Sequence, residues 1–167
     1  MAEYSHIRHT FEPVFDNNSE ILILGSLPSV KSREQGFYYG HPRNRFWLVM
    51  SELLKSEVPV TIEEKKQMLL FGHVAIWDVI SECDIKGSSD SSIKNVVPAD
   101  IGHLLRQTNI RQIFTNGSTA GRLYRKYVQE KAGRKIVVLP STSSANAAYS
   151  LQRLVDDWSD KINLQNI

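Results

Sequence analysis

Apolar positions along this chain fall into short unbroken runs that alternate with longer stretches of helical spacing. Four runs have the length of buried strands: Glu20 to Gly25, Val74 to Ile80, Ile110 to Thr115 and Lys135 to Leu139. From Arg45 onward, Phe46, Trp47, Val49, Met50, Leu53 and Leu54 share one helical face. Thr61, with Glu64 three residues on, reads as a capping box for a helix from Ile62 to Phe71. Ala99 to Thr108, Thr119 to Lys131 with Gly133 as its stop, and Tyr149 to Ile162 complete the predicted helices. The polar segment Ser81 to Val96, which contains KGSSDSSIKN, reads as a loop. Strands apolar on both faces, alternating with helices, predict an α/β protein: a three-layer α/β/α sandwich with a central four-stranded parallel sheet.

Composition narrows the class. The 167 residues suit one domain spanning 1–167, and 41% hydrophobic with 23% charged residues are globular values. A formal net charge of +2 gives no polybasic field, so nucleic-acid binding would rest on a local basic face. One cysteine, Cys83, excludes an internal disulfide, an iron–sulfur cluster and a cysteine-rich zinc site. No histidine pair has the i, i+4 spacing of a helical metal site, so no metal is expected. The start MAEYSHIRHTFEPVF has no signal-peptide core, and no run approaches the ~20 apolar residues of a membrane span. A cytoplasmic protein without membrane contact is expected, nucleoid-associated if its substrate is DNA.

Nucleotide and hydrolase signatures are missing. There is no Gly-x-Gly-x-x-Gly, no Gly-Lys-Ser/Thr loop and no Gly-x-Ser-x-Gly elbow, so no cofactor is expected. What stands out instead are two loops at predicted strand ends, where ligands of open α/β sheets bind. The first is GSLPS, followed closely by GFYYGHPRNRFW; the second is LPSTSSANA. Each joins a strand end to a proline and small hydroxyl residues.

These two loops, in this order, resemble the motifs of the uracil-DNA glycosylase superfamily, and most closely its hypoxanthine-DNA glycosylase branch. GSLPS stands where the mismatch-specific uracil enzymes carry Gly-x-Asn-Pro-Gly, and LPSTSSANA resembles their second motif ahead of the last helix. The resemblance implies a monofunctional DNA glycosylase in base excision repair. Its partner would be DNA containing a deaminated base, with hypoxanthine favoured, and it would work as a monomer without cofactor or metal. Where the uracil enzymes have the asparagine that positions water, this chain has Leu27. In the hypoxanthine branch the implied catalytic amide lies in His-Pro-Arg-Asn, which here is Asn44.

Physical chemistry suits an amide in that role. Cleavage of an N-glycosidic bond passes through an oxocarbenium-like sugar, and asparagine offers two donors and one acceptor without titrating. Asn44 could hold either a water or the departing base, and it also suits the cap of the helix starting at Arg45. Tyr39 aligns with an aromatic that stacks on the flipped base in relatives. Backbone N–H groups of Gly25, Ser26 and Leu27 are candidates for the exocyclic oxygen, with Pro28 in the same turn, and His41 is a supporting residue because it adjoins Asn44 in the motif. Asp78, a carboxylate that only accepts, would favour a ring N–H, as in hypoxanthine or uracil. For DNA the candidates are Arg43, Arg45 and the hydroxyls of Ser141, Thr142, Ser143 and Ser144, helped by the next helix N-terminus. Ala145 and Asn146 occupy the wedge positions. Cys83, His6, His9, His73 and His103 read as structural. Two alternatives stay open: a uracil-DNA glycosylase, and a non-catalytic nucleotide- or DNA-binding α/β module.

Overall fold

Two sheets organise the described residues, where the apolar runs predict one. The computed structural model describes residues 3–162. β1 (Tyr4–Arg8) is followed by β2 (Ile21–Gly25), α1 (Val30–Gln35), α2 (Phe46–Leu54) and α3 (Ile62–Phe71). Then come β3 (Val74–Asp78), β4 (Ile80–Lys86), β5 (Lys94–Pro98) and α4 (Ile101–Arg106). β6 (Gln112–Asn116), α5 (Ser118–Tyr127), α6 (Gln129–Ala132), β7 (Ile136–Leu139) and α7 (Leu151–Lys161) complete the order. No helix among the described residues is long and apolar enough to cross a membrane.

The larger sheet has the order β3-β2-β6-β7, and all its pairings are parallel. β2 is central and buried at every position, which explains its unbroken apolar run. On one face Ile21, Ile23, Ile76 and Phe114 pack with Phe46, Met50 and Trp158, from α2 and α7. On the other, Leu22, Leu24, Ala75 and Ile113 pack with Leu104, Leu123 and Tyr124, from α4 and α5. Helices on both faces of a four-stranded parallel sheet make the α/β/α sandwich.

Four local expectations need correction. The segment Ser81 to Val96 is mostly strand, and the run Val74 to Ile80 breaks in two. β3 stops at Asp78, while Ile80 opens β4, which pairs antiparallel with β1 and β5. β4 turns Cys83 and Ile85 inward and Glu82, Asp84 and Lys86 outward, so it never presents an apolar run. The helix predicted over Thr119 to Lys131 divides at Val128, whose φ of −124° leaves the helical region. α7 starts two residues after Tyr149 because Ser150 caps it, its hydroxyl accepting from the Arg153 N–H at 3.1 Å.

The outer face of the small sheet is held by charge. His6 contacts Asp84 at 2.9 Å through Nδ1 and Glu82 at 3.0 Å through Nε2, and Arg8 reaches Glu82 at 3.2 Å. The hydrogen bonds to Asp84 and then Glu82 raise the His6 pKa above its ordinary 6.5. Glu82 is lowered from 4.5, chiefly by His6, and Asp84 from 3.8, chiefly by Asn95 and then His6. The imidazole's contribution is full below its unfolded pKa and fades as pH rises through the raised folded value. The carboxylates' contribution is full above their unfolded values and fades as pH falls through the lowered ones. His6→Ala should therefore lower the melting temperature most between about pH 5 and 6 and least near about pH 8. The effect is small, as for any exposed pair. A melting-temperature difference that does not change with pH would refute this account of the strand.

Candidate active site

In-register parallel strands bring their carboxyl ends to one line. Gly25 lies beside Asp78, and Asn116 beside Leu139. A cavity of about 840 Å³ opens there, lined by Gly25, Ser26, Leu27, Pro28, Tyr39, Asn44, Asp78 and Asn116 among others. The first loop is pinned to the exit of β3, since the Gly25 and Ser26 carbonyls accept from Val79 N–H at 2.8 Å and Ile80 N–H at 3.1 Å. Gly25 has to be glycine: a Cβ there would lie 2.5 Å from Asp78 Oδ1 and 3.1 Å from the Tyr39 hydroxyl. Pro28 is buried, while half-buried Leu27 also packs against the α4 and α5 side of the core.

Two backbone N–H groups fix the orientation of the Asn44 and Asn116 amides, and with them the Thr142 hydroxyl. Phe46 N–H can only donate, so the Asn44 atom 2.9 Å away is Oδ1. Thr142 N–H can only donate, so the Asn116 atom 3.0 Å away is Oδ1. Asn116 Nδ2 then donates to the Thr142 hydroxyl at 2.9 Å, and that hydroxyl in turn donates to Asn44 Oδ1 at 2.8 Å. The acceptor end of Asn44 is thereby occupied twice. Its Nδ2, with two hydrogens, is what the amide has left for the cavity. Asn44 also opens α2 by its bond to Phe46, so the cap and the cavity use opposite ends of one amide.

Tyr39 sits in the left-handed region at φ 53°, uncommon for a non-glycine residue and often found at functional sites. Its ring stacks on Phe46, with centroids 4.0 Å apart and planes 20° apart. The hydroxyl is buried, and no hydrogen bond of ordinary geometry reaches it. Burial and then the Asp78 charge push its pKa well above the usual phenol value, with Asn116 acting in the opposite sense. Its neighbours belong to the core: Phe37 stacks on Trp47 at 6.0 Å, and buried Tyr38 donates to the Glu12 carbonyl at 2.9 Å.

Asp78 is buried at the end of β3, and its Oδ2 receives His9 Nε2 at 2.8 Å. Both side chains are almost sealed from solvent, at 5% exposure for His9 and 4% for Asp78. Oδ1 lies on the Gly25 side, at the cavity. His9 is a site residue that the sequence reading sets aside as structural. Nothing local marks it, because its partner stands 69 residues away. Asn116, in the run Asn116-Gly117-Ser118, reads in the sequence as a helix opening that could take a phosphate, not as the partner of Thr142.

The second loop is built differently from the expectation. Arg45 is not turned to phosphates: its guanidinium donates to the carbonyls of Ser143 at 3.0 Å, Asn146 at 3.2 Å and Tyr149. Thr142 is fully buried in the amide network and out of reach of DNA. α7 begins beyond the loop, and the Ser150 hydroxyl already occupies one N–H group of its N-terminus. Ser141 and Ser143 line the cavity, and their hydroxyls accept from the N–H groups of Ser143 at 3.1 Å and Ala145 at 3.2 Å. Ser144 and Ala145 are exposed, whereas Asn146 donates to the Ser141 carbonyl at 3.0 Å. Exposed His41 is not among the cavity's lining residues; its Nδ1 accepts from Arg43 N–H at 3.1 Å and shapes the turn before α2. Arg43 is exposed on that turn.

With the site in view, comparison with known proteins is decisive. The family model described as "Uracil DNA glycosylase superfamily" matches residues 12–162. The chain belongs to this superfamily. Among its relatives is a hypoxanthine DNA glycosylase of Methanosarcina acetivorans, 36% identical over 149 residues that cover 88% of this chain and 93% of the relative. Another, the hypoxanthine DNA glycosylase of Methanosarcina barkeri, is 30% identical over 152 residues, 90% of this chain and 94% of the relative. A solution NMR structure of a protein from Methanosarcina acetivorans superposes with a TM-score of 0.81 at 33% identity, covering 96% of this chain and 99% of that one. Superfamily membership makes the protein a DNA glycosylase, a hydrolase of N-glycosidic bonds whose substrate is DNA carrying a damaged base. The family, the fold and the class of enzyme agree with what the two loops imply.

Proposed function

We propose that this DNA glycosylase excises hypoxanthine and leaves an abasic site, with Asn44 acting on the departing base. The observation that carries the reading is the pairing of a donor-only amide and an acceptor-only carboxylate in one cavity. Hypoxanthine has a ring N1–H for Asp78 Oδ1 and several lone-pair atoms for Asn44 Nδ2. Adenine has no proton at N1 and would meet the carboxylate lone pair to lone pair.

The flipped base rests against the Tyr39 ring, which Phe46 supports from behind. As the C1′–N9 bond breaks, its electron pair moves into the base, and the sugar becomes an oxocarbenium ion flanked by DNA phosphates. The Asn44 N–H group meets the charge developing on the base, an interaction stronger in the transition state than before it. Water then adds at C1′, and the proton it loses neutralises the departed base anion, directly or through solvent, so that the products are a C1′-hydroxyl sugar and the neutral base. With Oδ1 already engaged, Asn44 is a poor partner for an attacking water, which favours the role at the leaving group. The N–H groups of Ser26 and Leu27 are the candidates for the exocyclic oxygen. Arg43, Ser144 and Ala145 offer the exposed surface for the DNA strand, and Ser141 and Ser143 each keep a hydroxyl proton for a phosphate. One copy of the chain supplies every group invoked.

Duplexes carrying a single hypoxanthine or uracil, incubated with the protein and then treated with alkali, test this. Strand cleavage at hypoxanthine, faster than at uracil, is expected. Faster release of uracil would make the protein a uracil enzyme. No abasic product from either lesion, in single- or double-stranded DNA, would make it a binding module.

A further inference from the structure

We propose that His9 determines base selectivity by fixing the orientation of the Asp78 carboxylate, an inference that rests on the reading of Asp78 as the partner of the lesion's ring N–H. His9 lies ahead of the segment matched by the superfamily, which starts at residue 12. Yet its ring is packed and its backbone is anchored. It packs on Phe11 with centroids 4.5 Å apart and on Tyr38 at 5.8 Å, and its backbone N–H donates to the Ser81 carbonyl at 2.8 Å. Farther along the same segment, Val14 and Ile76 exchange two backbone hydrogen bonds of 3.0 Å, which tie it to β3. The outcome is a single aimed contact, Nε2 on Asp78 Oδ2 at 2.8 Å.

That contact decides what Asp78 can recognise. An ionised carboxyl group offers only lone pairs, and a facing N–H offsets part of the cost of keeping it charged away from water. Without that N–H, nothing among the described residues holds Oδ2, and the carboxyl group can turn about its Cβ–Cγ bond so that Oδ1 is no longer aimed at the lesion's ring N–H. A carboxylate free to turn accepts from the 6-amino group of adenine as readily as from the N1–H of hypoxanthine. His9 therefore separates a site that reads hypoxanthine from one that admits the abundant undamaged base. Because Oδ2 is the atom it holds, Oδ1 is left for the cavity.

Binding to uncleavable 2′-fluoro analogues of deoxyinosine and deoxyadenosine, placed in otherwise identical duplexes, reads selectivity apart from bond cleavage. The wild-type protein should prefer the inosine duplex by about tenfold or more. His9→Phe keeps a ring against Phe11 and Tyr38 but removes the donor, and should lose most of that preference. His9→Gln restores an N–H and should recover most of it. If Phe is not tolerated, as judged by thermal melting, His9→Leu serves as the variant without a donor. A folded His9→Phe or His9→Leu protein with the full preference would overturn the proposal, as would equal losses in the Gln variant and the donor-free one. Asp78→Asn separates the two levels. If it loses the preference while the donor-free His9 variant keeps it, His9 alone is ruled out. If Asp78→Asn keeps the preference, the reading of Asp78 fails and the His9 proposal falls with it.

Discussion

Asn44→Asp should leave the fold intact and lower single-turnover excision by about 10²- to 10³-fold. An aspartate can still accept from Phe46 N–H and from the Thr142 hydroxyl, the two bonds that Oδ1 now makes. What it cannot do is donate, and its charge would face the negative charge arriving on the base. Asn44→Ala should show a similar kinetic loss together with about 1 kcal/mol of lost stability, because the cap on α2 goes as well. The two variants thus separate the amide's two ends, one measured by melting and the other by rate. DNA affinity should change little in either, since the donor acts mainly in the transition state. An Asn44→Asp protein that excises the base at close to the wild-type rate would remove the amide from the mechanism.

The second large effect is expected at Gly25. In Gly25→Ala the new methyl would lie 2.5 Å from Asp78 Oδ1, and Asp78 cannot simply retreat because Oδ2 is bound to buried His9. Either Asp78 turns, breaking its bond to His9, or the turn after β2 shifts and carries the Ser26 and Leu27 N–H groups with it. Both outcomes spoil the cavity. Overpacking of this kind costs about 1–3 kcal/mol, and excision should fall by at least about 100-fold in protein that still melts cooperatively. Wild-type excision by Gly25→Ala would mean that Asp78 has room to move, and its assignment to the base edge would lose its geometric basis.

The parts legible in sequence are those with local signals. β2 is buried at all five positions and shows as Ile-Leu-Ile-Leu, while the capping box at Thr61 is realised with Glu64 N–H donating to the threonine hydroxyl at 3.0 Å. Asn44 stood out through its motif, and its capping bond is local as well. What could not be read depends on residues far apart in the chain. The run Ser-Thr-Ser-Ser has the composition of a phosphate-binding loop, but the direction of the Thr142 hydroxyl is set by Asn44, 98 residues earlier, and by Asn116. Arg45 next to Arg43 looks like half of a basic patch until the loop folds over it and fills its donors with carbonyls. β4 and β5 were hidden because a strand half-covered by charged pairs has no apolar run to show.

The placement of β1 has a consequence for the order in which the site is completed. The chain makes this strand first, yet its partners come late: His6 meets Asp84 across 78 residues, and His9 meets Asp78 across 69. Closing so long a loop is entropically costly, so contacts of this kind form after the local ones have been made. The β4–β5 hairpin and the parallel strands can associate while β1 and His9 are still unattached. A protein caught at that stage, or one whose first strand detaches on warming, would keep Asn44 and its cap but lack the imidazole behind Asp78. Loss of discrimination against undamaged adenine should therefore precede loss of the Asn44 cap as the molecule is heated toward unfolding.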